Sequence, residues 1–241
     1  MDNFKVYKLG LVPYDKALEI QLDLLERRKR GEIEDTLLLL EHPPTFTIGR
    51  RGNMGNLLAA EEYLAKEGIK LEVISRGGDI TFHGPGQLVG YPIMDLNKMG
   101  RDVHKYLRAL EEVIISALED YRIQARRIED VTGVWVKWHK IASIGVGVKR
   151  WITYHGFALN VNTELSYFDK IVPCGIPDVQ MTSVKRWLAK KDEIDMTDAE
   201  DSVIRAFSKV FDRRHTKTVN VFEQTFDFDL LLDIEKQLET E

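Results

Sequence analysis

Apolar and polar positions alternate along Phe4–Leu9, a period that predicts a strand. The period lengthens at Tyr14–Arg30, where Ala17, Leu18, Leu22 and Leu25 form a helical stripe opposite a charged face. Thr36–Glu41 (TLLLLE) is apolar almost throughout and reads as a buried strand. Pro43 and Pro44 impose an extended turn before a short strand at Thr45–Ile48. A short helix is predicted at Glu61–Glu67, with strands at Leu71–Ser75 and Leu88–Ile93. Val103, Leu107, Leu110, Val113, Ile114 and Leu118 make Val103–Tyr121 an amphipathic helix. Three strand-like segments follow, Gly133–Trp138, Ile141–Val148 and Ile152–Val161, punctuated by Gly145, Gly147 and Gly156 as bulges or close backbone approaches would be. Thr197–Phe211 reads as a last helix and Thr218–Phe222 as an edge strand.

Strands and helices mix without a regular βαβ alternation. That favours an α+β fold, with helices packed on one or two mostly antiparallel sheets. The 241 residues, 44% hydrophobic and 30% charged, suffice for one sizeable core, and no repeat or linker divides residues 1–241. The N-terminus shows no basic segment followed by an apolar one, and no apolar run approaches bilayer length. A cytoplasmic protein with no membrane partner is expected. The net charge of −5 argues against nucleic-acid binding, which needs a basic footprint.

The densest chemistry lies in Arg76–Gln87, RGGDITFHGPGQ, where five of twelve residues are glycine or proline. It reads as a loop, either a plain surface turn or the backbone lining of a narrow ligand slot. No phosphate-binding or dinucleotide-binding glycine pattern occurs in the chain. The single cysteine, Cys174, lies in IVPCGI. A lone cysteine is commonly a small buried apolar residue, but Pro173 and Gly175 set this one on a turn, where a thiol is accessible. Lys140 leads into the apolar strand IASIGV and can point inward there, although most lysines are simply solvated. The histidines (His42, His83, His104, His139, His155 and His215) lack metal-ligand spacing, so no metal is expected. Trp135, Trp138 and Trp151 read as core or cleft lining.

Four segments, LLLLEHPPTFTIGRRG, RGGDITFHGPGQLVGYPI, KIASIGVGVKRWITYHGFALNVN and IVPCGIPDVQMTSVKRW, occur in that order. Together they resemble the lipoyl(octanoyl) transferases. The resemblance runs from about Tyr7 to about Phe211 and leaves residues 212–241 as a variable tail. Two departures stand out: Gly147, where a larger residue is usual, and Met181, where valine is commoner. The resemblance implies a single catalytic domain with the fold of biotin– and lipoate–protein ligases. It makes Cys174 the nucleophile and Lys140 its partner. It lines the acyl pocket with Arg76, Gly77, Gly78 and Asp79, with Ile80, Thr81, Phe82 and His83, with Ser143, Ile144 and Gly145, and with Gly156, Phe157 and Ala158.

The implied donor is octanoyl acyl carrier protein. The implied acceptors are lipoyl domains of 2-oxoacid dehydrogenase complexes and the glycine cleavage H protein. Thioester-to-thioester exchange is near balance and amide formation is downhill, so no cofactor is expected. Two other readings stand beside this one: an ATP-dependent lipoate or biotin ligase, and a non-catalytic adapter for acyl carrier protein. Backbone N–H groups of Gly77, Gly78 or Gly175 are candidate oxyanion donors. Arg50 with Arg51, Lys149 with Arg150, Lys137, His139 and Lys185 with Arg186 are candidates for a basic rim facing acidic carriers.

A magnitude refines the lysine's role. For a cysteine thiol, a fall in pKa from about 8.5 to about 7 raises the thiolate fraction roughly sixteen-fold at pH 7. Lower intrinsic nucleophilicity takes back roughly a factor of five. The net gain of about threefold is small, so the lysine is expected to move protons as well.

Overall fold

The computed structural model describes residues 2–189 and 192–221. The chain runs through β1 (Asp2–Leu11), α1 (Tyr14–Arg30), β2 (Asp35–Glu41), β3 (Thr45–Ile48), α2 (Glu61–Glu67), β4 (Lys70–Val73), β5 (Ile80–His83) and β6 (Gln87–Ile93). It continues with α3 (Val103–Glu119), β7 (Arg126–Ile128), β8 (Val131–Val136), β9 (His139–Lys149) and β10 (Ile152–Asn160). Last come β11 (Gln180–Met181), α4 (Val184–Trp187), α5 (Met196–Phe211) and β12 (Arg213–Asn220).

A nine-stranded sheet has the order β12-β1-β2-β6-β10-β9-β8-β7, with β11 joined to β9, and a second sheet has the order β4-β3-β5. Pairing is antiparallel from β2 through to β7, and parallel where β1 meets β2 and β12. The α+β expectation therefore holds.

The large sheet is buried on both faces, which explains the uninterrupted leucines of β2. Leu37 and Leu39 pack with α3 and α5, while Leu38 and Leu40 pack with α1. Helix α1 follows Pro13, carries Asp15 in its first turn and Arg27–Arg30 in its last, and stops at left-handed Gly31. Helices α3 and α5 are capped by Asp102 and Asp195, whose side chains accept from Lys105 N and Thr197 N. The small sheet builds a third core with α2 around Phe46, Ile80 and Phe82. Between the glycine-rich floor of β9 and β10 and this second sheet lies the cavity described below.

Three expectations need correction. Arg76–Gln87 is not one loop: Ile80–His83 is strand β5, paired antiparallel with β3. Four residues hemmed in by glycines carried too short an alternation to register as a strand. The strand expected at Thr218–Phe222 begins earlier, at Arg213, as an edge parallel to β1; Phe222 and the rest of the variable tail, 223–241, lie outside the described residues. Trp138 is neither core nor cleft: it is 75% exposed at the β8–β9 turn, with Arg126 over its ring.

Candidate active site

Lys140 is the second residue of β9 and is only 1% exposed. Its backbone is gripped from both sides, by Trp135 on β8 and Met181 on β11. That leaves the side chain to cross the sheet surface, where Nζ donates to Cys174 Sγ at 3.1 Å. Sequence spacing gave no reason for this contact across 34 positions; the fold makes it.

Cys174 is the middle residue of a short 3₁₀ turn, Pro173–Gly175, and its φ of 59° is left-handed. A non-glycine residue held there stores backbone strain, as reactive residues on tight turns often do. Gly175 follows at φ 68°, and a Cβ on it would stand 2.5 Å from Asp79 Oδ2. The two glycine-bearing segments thus interlock. Asp79 Oδ1 accepts from Ile80 N at 2.6 Å and Asn53 N at 3.1 Å, and Oδ2 accepts from Asn56 Nδ2 at 2.6 Å. Its carboxylate is occupied in tying the Asn53–Asn56 segment to the start of β5, packed against Gly175.

Burial pushes the Cys174 thiol up, but the charge and hydrogen bond of Lys140, a contact with Ser143 Oγ at 3.7 Å and the charge of Arg76 outweigh it. The thiol therefore ionises below its ordinary range.

A cavity of about 270 Å³ opens beside this pair. Arg76, Gly78, Asp79, Thr81 and His83 line it from the small-sheet side, and Ser143, Ile144, Gly145, Gly156, Phe157 and Ala158 from β9 and β10. Gly77, Ile80 and Phe82 are not in the lining. Ile80 and Phe82 alternate with Thr81 and point into the third core. Gly77 spends its N–H on Val146 O at 3.0 Å, and Gly175 spends its own on Val172 O at 3.0 Å. Of the three candidate oxyanion donors, Gly78 N has no partner among the described residues, and Gly78 is part of the cavity lining. Gly156 is required by close approach, since a Cβ there would strike Gly90 O. At Gly147 the ring of Tyr154 fills the space a larger residue would take.

Arg76 is buried, donating from Nη2 to Thr47 O and Thr47 Oγ1 at 2.8 Å each. Around it sit neutral imidazoles. Burial holds His42 at about 4; burial and then the charges of Arg76 and Arg50 hold His155 at about 3. His83 lies well below its ordinary value, through burial first and then His42 and Arg76. Burial likewise raises Tyr14 and Tyr91, so both stay protonated.

The lipoyl protein ligase A/B catalytic domain matches residues 13–208. The chain belongs to that family. An octanoyltransferase of Caldicellulosiruptor saccharolyticus is 50% identical over 84% of this chain and 86% of its own. One from Rubrobacter xylanophilus is 52% identical over 83% and 90%. A lipoate–protein ligase A crystal structure with bound ATP superposes with a TM-score of 0.74 at 17% identity, over 97% of this chain and 94% of that one, which shows a shared fold.

Within this lipoyl protein ligase A/B chain, several cavity residues escaped the sequence reading: Tyr14, Tyr91, His155, and Asp130 with Val131 and Thr132 at the start of β8. Tyr91 and His155 stood inside the quoted motifs, in VGYPI and YHGFA, whereas Tyr14 opens α1 with no local signal. Of the basic residues considered for a rim, Arg50 bears electrostatically on His155 and its backbone pairs with Arg76 O. Lys149 is at the far hairpin and is held by Glu26 at 2.8 Å. No helix among the described residues is long and apolar enough to cross a membrane.

Proposed function

We propose that the chain transfers an octanoyl group from acyl carrier protein to Cys174, and from there to a lysine of a lipoyl domain. The activity is octanoyl transfer in protein lipoylation, performed by an acyltransferase. The observation that carries the route is the buried 3.1 Å contact between Lys140 Nζ and Cys174 Sγ at the cavity wall. A ligase that activates its acid with ATP needs no nucleophilic thiol there, and an adapter needs no buried ammonium beside one.

In the first half-reaction the Cys174 thiolate attacks the carrier thioester. A new S–C bond forms, the carrier's C–S bond breaks, and the Lys140 ammonium gives its proton to the departing thiolate. Lys140 is then a neutral amine. In the second, an acceptor lysine attacks as the free amine and passes a proton to Lys140, while Cys174 leaves as thiolate. The N–C bond is made, the S–C bond is broken, and the ion pair is restored. Gly78 N is the candidate donor to the oxyanion in both steps. Lipoyl domains of 2-oxoacid dehydrogenase complexes and the glycine cleavage H protein are the acceptors, the whole chain acts as one catalytic domain, and the cytoplasm is the setting.

Cys174→Ser tests this reading. It should lose turnover by several orders of magnitude while staying folded, because a hydroxyl beside Lys140 ionises far less readily. Iodoacetamide should inactivate the wild type and octanoyl carrier protein should protect it. Full turnover by the serine variant would end the proposal.

A further inference from the structure

The cavity has a floor of strands, so its length can be read in strand spacings. Cys174 Sγ lies over β9, at Ser143. Ser143 pairs with Ala158 on β10, and Ala158 pairs with Val89 on β6. Two positions along β6 from Val89, on the same face, stands Tyr91, packed in one cluster with Val89 and Ala158. Two strand spacings across the sheet and a two-residue step along β6 therefore separate the thiol from Tyr91, about 12 Å on the diagonal, which an acyl chain of about 10 Å reaches with the radius of its terminal methyl.

That far side is a rigid polar wall. Tyr91 Oη donates to His42 Nε2 at 2.7 Å, and His42 Nδ1 donates to Val12 O at 2.6 Å. The Tyr14 ring lies 5.0 Å from His42 and 5.8 Å from His83. His83 is pinned in turn by Gln87 Oε1 at 2.7 Å, and Gln87 by Asn160 Oδ1 at 2.9 Å. Every member is buried. Tyr91 is packed into the core of Val12, Leu24, Leu38 and Leu40, so a methyl group meeting this wall finds filled space behind it. To pass, it must part Tyr91 from His42 and leave a buried nitrogen without a donor.

An extended chain advances about 1.2 Å per bond. The eight bonds from sulfur to the terminal methyl of an octanoyl group therefore span about 10 Å. A dodecanoyl group overshoots by about 5 Å, one whole strand spacing. We infer that Tyr91 and Tyr14, braced by His42 and His83, form the stop that sets acyl length at about eight carbons, an inference that rests on the Cys174 acyl-enzyme reading above. Ala158 sits one strand spacing from the thiol and keeps the middle of the channel open.

The test compares kcat/KM for butanoyl, octanoyl and dodecanoyl thioester donors, with adduct formation on Cys174 followed by intact mass. In Tyr91→Ala and in Tyr14→Ala the dodecanoyl-to-octanoyl ratio should rise by about tenfold or more, the scale on which apolar pockets discriminate methylene groups. Ala158→Leu should do the reverse, costing octanoyl about tenfold or more while sparing butanoyl. Either tyrosine variant, if folded, suffices should the other fail to fold. An unchanged ratio in a folded tyrosine variant, or an Ala158→Leu enzyme that still prefers octanoyl, would overturn the stop. A wild type that forms no Cys174 adduct with any donor would instead overturn the cysteine route, and the stop with it.

Discussion

Gly133 and Lys140 lie against each other so closely that a Cβ on Gly133 would stand 2.6 Å from Lys140 Cε. The β8–β9 register shifts just beyond Gly133, between Val134 and Trp135, and Gly133 has φ 137°, which non-glycine residues rarely adopt. Its N–H donates to Glu111 Oε1 at 3.0 Å. Glu111 is fully buried on α3 and also accepts from Arg108 Nη1 and Arg127 Nε at 2.8 and 3.0 Å. A buried carboxylate on the helix layer thus fixes the bulge that gives the Lys140 stem its course.

Gly133→Ala should therefore act on chemistry more than on binding. We expect kcat to fall by about 10²-fold or more, since a displacement of about 1 Å in a catalytic group costs that much, with KM little changed. Glu111→Ala should lower kcat too, and Glu111→Gln less, because an amide oxygen can still accept from Gly133 N. Steady-state kinetics beside thermal melts would separate the effects. A Gly133→Ala enzyme with normal kcat would show that the bulge does not place Lys140.

Removing the lysine itself should be costlier than losing the thiolate. Lys140→Ala is expected to slow both half-reactions by about 10²–10⁴-fold, the range for a positioned proton donor or acceptor. The acid limb of acylation in the wild type should lie below the ordinary thiol range, because Lys140, Ser143 and Arg76 outweigh burial at Cys174. Lys140→Met should move that limb upward. Rates restored in full by raising the pH would mean that Lys140 serves only to ionise the thiol.

Much of this was legible in the sequence, and the failures share a cause. The helices were found because Tyr14–Arg30 and Val103–Glu119 repeat their apolar stripe over four turns or more. Cys174 and Lys140 were singled out on their own segments, by a proline–glycine turn and by an apolar strand edge. Their contact was not, because it depends on two β pairings and a bulge, none of which has a local signature. Strand β5 was missed for its brevity, and Tyr14 for its ordinary place at a helix start. Glu111 reads as one more charge on an amphipathic helix, and only the packing of α3 on β8 buries it.

The buried histidines predict how the fold responds to acid. His42 has a native value of about 4 against about 6.5 in an unfolded chain. Between those values the unfolded chain takes up a proton that the native imidazole refuses, so stability falls as pH drops from about 6.5 to about 4. The contribution is about 1.4 kcal/mol per pH unit, or about 3 kcal/mol in all. His155, at about 3, extends the loss further. Urea unfolding of His42→Asn should give a flatter pH dependence in that window, whatever its absolute stability. An unaltered slope would mean that His42 is not held neutral.

Carrier recognition should depend on salt through the basic residues beside the cavity. Arg50 and Arg51 are exposed, on a loop whose backbone N–H groups bond to Arg76 O and Gly78 O. We expect kcat/KM for octanoyl carrier protein to drop several-fold between low and physiological ionic strength. A small octanoyl thioester should show almost no drop. Arg50→Glu with Arg51→Glu should reproduce the salt effect, and Lys149→Glu should not, since Lys149 is engaged with Glu26 at the far hairpin. A flat response with the intact carrier would remove this role from the loop.

The central claim is that the acyl group rests on Cys174 on its way to the acceptor. The most direct measurement mixes the enzyme with octanoyl carrier protein, omits any lipoyl domain, and maps the product by intact and peptide mass. One octanoyl group should appear on Cys174, and adding a lipoyl domain should move it to the acceptor lysine in a single turnover. Transfer to the lipoyl domain without a Cys174 adduct at any time, or an adduct that the acceptor cannot discharge, would contradict the account.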